Sequence, residues 1–349
     1  MGSCDPEPPK LYIETPCIPS AALSRAAGCN IFLKLENLQP SGSFKSRGVG
    51  HLMYQETLAK KNVHFYCSSG GNAGLAAATS AAILGQPCTI VVPMTTPEHM
   101  MDKIRLLGAK VHQVGTHWAL ADAYLREELL VRDPAGVYIP PFDHPAIWTG
   151  TSTIVSELVS QRQPFAAPRV DAIVCSCGGG GLLSGIMEGV ERHYPPEKEP
   201  KPEPKPRVLA VETAGADSLG ASVRAGALVT LPAITSVATS LGAPRVAARA
   251  FRWAREAPHL HSVVVSDAEA VMGSLRLADD ARMLVEVACG ATVATAYNGV
   301  LRRVVGRRDD GTALSDEEWR GVNVVLVVCG GSNVTLEMLR DYGEKYGVK

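Results

Sequence analysis

The chain has 349 residues, a formal net charge of −1 and 46% hydrophobic residues, of which few are aromatic. That near-neutral balance argues against a general polyanion or nucleic-acid binder. No run approaches the ~20 apolar residues of a membrane span, and the length accommodates two domains with cores of Ala, Val, Leu and Ile.

The N-terminus, "MGSCDPEPPKLYIETP", lacks the apolar core of a signal peptide. Nine cysteines is an odd count, and Cys67, Cys175, Cys177 and Cys329 sit inside apolar runs. This pattern predicts reduced thiols in a cytoplasmic protein and not a disulfide framework.

In chain order, the first predicted strand is "NIFLKLE" (30–36), and after it "SGSFKSRG" (41–48) sets Lys45 among small residues. A second strand, "VHFYCSS" (63–69), leads through "CSSGGNAG" (67–74) into the Ala-rich helical stretch "NAGLAAATSAAILG". "CTIVVP" (88–93), the amphipathic "PEHMMDKIRLLG" and "KVHQVG" (110–115) follow as strand, helix and strand. "YIPPFDHP" (138–145) divides the strands into two groups and precedes a long helix from near Ala146. The second group comprises "VDAIVCSC" (170–177), "RVLAVET" (207–213), "SVVVS" (262–266) and "VNVVLVVCGG" (322–331). The Pro- and charge-rich segment 194–207 reads as a surface loop without a catalytic part. Continuous apolar strands alternating with helices predict an α/β fold of two doubly wound parallel-sheet domains. A ligand is expected in the cleft between them, near the carboxyl ends of the strands.

Two loops are built for anions. After "VDAIVCSC" come Gly178, Gly179, Gly180 and Gly181 and then a helix start, so backbone N–H groups can converge on a negative charge. The dinucleotide pattern G-x-G-x-x-G fails there, because Leu183 or Ser184 stands at its third glycine, and no P-loop pattern occurs. A single phosphate group is therefore favoured, with a tight strand–helix turn as the structural alternative. In "CSSGGNAG", Ser68, Ser69 and Asn72 make a cradle for a carboxylate, although either side-chain type also serves as a helix N-cap. Two anion cradles and a lysine among small residues point to a phosphate-bearing cofactor, a carboxylate substrate and a Schiff-base lysine. The pairs Cys175/Cys177 and His259/His261 lack further ligands at metal-site spacing.

Together these stretches resemble the fold-type II pyridoxal-phosphate enzymes (the tryptophan synthase β-like family), and among them the L-serine/L-threonine dehydratases, or serine ammonia-lyases. "LENLQPSGSFKSRG" is similar to their lysine motif, "SSGGNAG" to their substrate loop and "GGGGLLSG" to their phosphate loop. The resemblance continues through "PPFDHPAIWTG", "VETAGADS", "LPAITSVATSLGA", "RMLVEVACGA" and "VVCGGSN", from about Thr15 to Asn333. It implies a large pyridoxal-phosphate-binding catalytic domain, 1–38 with 142–349, and a small domain, 39–141, carrying the lysine and substrate loops.

By the same resemblance Lys45 is the Schiff-base lysine and α-proton base. Phe44 and Ser240 cover the cofactor ring, and Gly178–Gly181 with Leu182 bind its phosphate. Ser68, Ser69, Gly70 and Asn72 receive the substrate, with Ser69 also catalytic and Asn72 touching the cofactor. Cys329 faces the ring nitrogen. Glu212, Ala216, Leu241 and Ala243 match a monovalent-cation site, with K+ the expected ion. The implied reaction is β-elimination of L-serine or L-threonine in a homodimer. A β-replacement enzyme, a lyase for a specialised β-hydroxy amino acid and a non-catalytic cofactor-binding paralogue remain as alternatives. A regulatory domain after "CGGSN" is not expected, and the pair Gly70–Gly71 stands where serine racemases place a second catalytic serine. Val287, Thr239 and Asp217 depart from the family's usual proline, lysine and histidine. Asp217 and Thr239 are candidates for altering substrate preference, or are simply tolerated surface changes.

Overall fold

The computed structural model describes residues 9–161, 169–195 and 204–348, so part of the predicted loop 194–207 lies outside the described residues. In chain order the strands are β1 (Cys17–Pro19), β2 (Asn30–Lys34), β3 (His64–Cys67), β4 (Cys88–Val92) and β5 (Lys110–Gln113). Next come β6 (Gly136–Tyr138), β7 (Ala172–Ser176), β8 (Arg207–Thr213), β9 (Leu260–Val265) and β10 (Asn323–Val327).

They form two sheets, ordered β1-β2-β10-β7-β8-β9 and β5-β4-β3-β6. All neighbours are parallel except β1, which runs antiparallel to β2 with Cys17 opposite Lys34. Central strands such as β4, β7 and β10 are buried at every residue, because helices cover both faces of a parallel sheet. The edge strand β5, Lys-Val-His-Gln, is mostly exposed; its polar side chains discourage pairing with another sheet. Neither β1 nor β6 is legible in the sequence. Each has three residues, too few to show a period, and β1 holds Pro19, which an edge strand tolerates.

The chain divides into two compact units. The smaller comprises the described residues up to Glu14, Gln39–Ser41 and Lys45–Pro141; the larger comprises Thr15–Leu38, Gly42–Phe44 and the chain from Phe142 onward. Against the predicted boundaries, residues 9–14 group with the smaller unit and 42–44 with the larger. Hydrogen bonds give the reason. Ile13 N–H donates to Gln39 Oε1 at 3.0 Å and Gln39 Nε2 donates back to the Ile13 carbonyl at 2.9 Å. Ser43 bridges to Gly330, and Phe44 N–H donates to the Cys329 carbonyl at 3.2 Å.

In each unit the motif loops follow the carboxyl ends of strands: Ser68–Gly71 after β3, Cys177–Gly180 after β7 and Val328–Gly331 after β10. Those ends are where open parallel sheets present ligand-binding backbone. Among the described residues, no helix is long and apolar enough to cross a membrane.

Candidate active site

In the smaller unit, Lys45 is the first residue of the helix Lys45–Ala59 and is half-buried. Its Nζ donates to the Pro141 carbonyl at 2.7 Å. Ser46 Oγ ties the turn before it, accepting from Ser41 N–H at 3.2 Å and lying 2.8 Å from Ser41 Oγ. Lys45 also lies near the end of β3. Burial pushes the Cys67 thiol up to about 12, while a backbone hydrogen bond from Ser69 and the Lys45 charge pull it down.

The loop after β3 enters the helix Asn72–Leu84 through Gly71, with no side-chain cap on that helix. A helix start turned toward a loop in this way is a setting that favours an anion. Ser69 Oγ accepts from Gly71 N–H at 3.3 Å, which orders the loop from within. Gly74, inside the quoted motif but unassigned by it, is the residue that permits this geometry. A Cβ at Gly74 would lie 1.8 Å from the Ser69 carbonyl oxygen, so only glycine lets the helix pass. Ser68, expected at the substrate, has its side chain turned to an internal partner. It is fully buried, and its Oγ donates to Asp122 Oδ1 at 2.5 Å.

In the larger unit, β7 runs into Cys177 and the four glycines, and the helix Gly181–His193 begins without a side-chain cap. Gly180 holds φ at +90°, a conformation that favours glycine. Its neighbours leave no room for side chains: a Cβ on Gly179 would sit 2.4 Å from the Phe142 ring. The bare backbone and open helix start fit a phosphate group. Leu182, on the first turn, is buried. The segment Thr239–Leu241 lies against the glycines, with Leu241 Cα 2.9 Å from where a Gly178 Cβ would be; Ser240 is exposed.

Cys329 lies past the end of β10, its Sγ 3.3 Å from Ser176 Oγ, and its carbonyl accepts from Phe44. Cys289 packs behind it. A hydrogen bond with Cys329, and burial, push the Cys289 thiol well above the usual thiol range. Every cysteine among the described residues is free and buried.

Glu212, at the end of β8, is fully buried and accepts from Leu219 N–H at 2.8 Å and Gly220 N–H at 2.7 Å. Burial nonetheless pushes its carboxyl up to about 8. Ala216, four residues on, is buried, and the Leu241 carbonyl accepts from Ala243 N–H at 2.7 Å. Asp217 offers no free charge, since it pairs with Arg224 at 2.6 Å and accepts from Gly215 N–H. Val287 opens the helix Val287–Ala294 and is buried there. Among the described residues no three His, Cys, Asp or Glu side chains converge as a metal cluster.

A family model described as pyridoxal-phosphate dependent enzyme matches residues 9–330, and the chain belongs to that family. Its relatives are specific. The chain is 45% identical over 336 residues to L-serine dehydratase/L-threonine deaminase of Bos taurus, covering 94% of each. It is 43% identical over 335 residues to a serine dehydratase-like protein of Homo sapiens, covering 94% of this chain and 93% of that one. Among solved structures it is similar to a fungal L-serine ammonia-lyase from Rhizomucor miehei. The TM-score is 0.83 at 34% identity, over 96% of this chain and 99% of that one.

Proposed function

We propose that this chain is an L-serine/L-threonine dehydratase, converting L-serine to pyruvate and ammonia and L-threonine to 2-oxobutanoate and ammonia. The observation that carries the reading is Lys45, half-buried, with its amine held on a neutral carbonyl, in the same unit as the Ser69–Asn72 loop. Gly178–Gly181 and Leu182 would hold the cofactor phosphate, with Phe44 and Ser240 at the ring faces, Asn72 at its hydroxyl side and Cys329 at its nitrogen. When bound, pyridoxal phosphate supplies an electron sink for the bond between the substrate's α-carbon and its proton.

Lys45 Nζ takes the α-proton. The Ser69 hydroxyl, the Gly70 backbone, the Asn72 amide and the open helix start hold the substrate carboxylate. The β-hydroxyl leaves as water with one proton, which balances the proton removed from the α-carbon, and the released enamine takes up water and loses ammonia, so the net products are one 2-oxo acid and one ammonia. Cys329 would offer the ring nitrogen a cysteine side chain in place of a carboxylate, which would favour prompt departure of the hydroxyl. Gly70 offers no acid–base side chain, so D-serine formation would be slow. The test is product analysis with L-serine in the presence and absence of an added thiol. Equimolar pyruvate and ammonia in both supports the dehydratase; a thioether formed at the expense of pyruvate identifies a replacement enzyme.

Gly74→Ala should displace Ser69 while leaving the sheet intact. Its kcat/KM for L-serine is expected to fall about 10²-fold, the scale of a misplacement near 1 Å, with an unchanged far-ultraviolet spectrum.

K+ is part of the reading, held by the Glu212 carboxylate with the carbonyls of Ala216, Leu241 and Ala243. A cation there would offset the burial that now disfavours ionised Glu212. Replacing tetramethylammonium with K+ should raise the melting temperature and add about 2.7 kcal/mol of stability at a hundredfold excess over Kd, and Glu212→Gln should abolish that response. The family resemblance supports a homodimer, which light scattering tests, and the buried free thiols support a reducing, cytoplasmic compartment.

A further inference from the structure

Ser68 and Pro141 flank the chemistry of the smaller unit: one begins the substrate loop, and the other holds the Lys45 amine. Nothing in the sequence joins them. In the fold one carboxylate meets both Ser68 and Tyr138, three residues before Pro141. Asp122, on the helix Trp118–Tyr124, is buried, and its Oδ1 accepts from Ser68 Oγ at 2.5 Å and from Tyr138 OH at 2.7 Å. Its Oδ2 pairs with Arg126 Nε at 3.0 Å. Arg126 lies on the π-turn Leu125–Leu129 that continues this helix, and its guanidinium stacks 4.0 Å from the centre of the Tyr138 ring. Tyr138 ends β6, and the next residue, Ile139, donates its N–H to the Tyr66 carbonyl at 2.7 Å. Burial, with the Asp122 carboxylate, pushes the Tyr138 phenol up to about 12, so it remains a donor throughout the working pH range.

We infer that Asp122 is a positioning residue that sets the Ser68–Asn72 loop against the Tyr138–Pro141 segment, and so aligns the carboxylate-binding loop with the lysine. The geometry requires it. Ser68 is fully buried, so its hydroxyl must find an internal acceptor, and a charged acceptor makes that bond strong and directional. Tyr138 shares the same oxygen, so the loop and the segment leading to Pro141 cannot shift independently. Arg126 balances the charge, which keeps an uncompensated carboxylate away from the substrate's own. The consequence for recognition is definite: Ser68 anchors the loop from behind, and Ser69, Gly70 and Asn72 are left to face the amino acid.

This inference rests on the proposed dehydratase activity and is tested on the cofactor-loaded enzyme in two ways. Asp122→Ala should raise KM for L-serine about tenfold with kcat held within about threefold, because the loss falls on substrate placement and not on the proton transfer. Ser68→Ala should give the same rise, and the double variant no more than either single one, since both break one linkage. Asp122→Asn keeps an acceptor for Ser68 and Tyr138 and should restore KM to within about threefold. Independently of turnover, amide exchange in residues 67–76 should quicken in Asp122→Ala, while exchange in β9 stays unchanged. If the two single effects multiply, if Ser68→Ala leaves KM unaltered, or if exchange in 67–76 is unmoved, the positioning role is wrong. Should the unaltered enzyme fail to turn over serine, the dehydratase reading fails, and the exchange measurement still decides the role of Asp122.

Discussion

Lys45→Ala is expected to lower kcat/KM for L-serine by at least about 10³-fold, within the range that a positioned general base contributes, while leaving the fold intact. The lysine sits at the first position of its helix, and the turn before it is held by Ser41 and Ser46, so truncating the side chain leaves that scaffold in place. What disappears is the amine now resting on the Pro141 carbonyl. Lys45→Arg separates charge from chemistry. A guanidinium keeps the positive charge but does not deprotonate in proteins, so it should be as inactive as alanine. Recovery of more than a tenth of the activity in the arginine variant would mean that Lys45 acts through its charge alone. Steady-state assays of both variants, with circular dichroism to check folding, make the comparison.

The second large effect is on stability. Lys34 is fully buried at the end of β2, and its Nζ donates to the Thr15 carbonyl at 2.6 Å, to Glu157 Oε2 at 2.5 Å and to Gln161 Oε1 at 3.1 Å. Thr15 in turn donates its hydroxyl to the buried Glu36 at 2.6 Å. Removing the cation leaves Glu157 buried without its charge partner, so Lys34→Met should destabilise the larger unit by about 3–5 kcal/mol. Restoring apolar balance with Lys34→Met and Glu157→Leu together should recover most of the loss, because a buried pair carries a desolvation cost of its own. Urea denaturation of the three proteins checks this. A double variant no more stable than the single one would show that Glu157 is not what Lys34 compensates.

The strands that face helices on both sides were readable because burial makes them continuous apolar runs, as in β4, β7 and β10. The Gly178–Gly181 loop, the "SSGGNAG" loop and the turn before Lys45 stand out in the sequence because each has a contiguous, unusual composition, and their roles are part of the proposed function. The helix Lys45–Ala59 was not readable, since its two glycines and scattered apolar residues give no clear helical face. Neither was the hydrogen bond that Ser68 makes. Its partner Asp122 is 54 positions away, and only the folding of β3 against the following segments brings them together. Asp217 shows the same limit. The sequence displays a new negative charge beside a site motif, and the fold pairs it with Arg224 one helix length later. Gly74 was visible as part of a motif, but its necessity depends on the carbonyl of Ser69, whose position local sequence does not reveal.

The most direct measurement is release of pyruvate and ammonia from L-serine by the purified protein supplied with pyridoxal phosphate and K+. Saturable, equimolar formation of both, with 2-oxobutanoate from L-threonine, is the predicted result. Spectroscopic evidence of bound cofactor with no 2-oxo acid from either amino acid would contradict the proposed function.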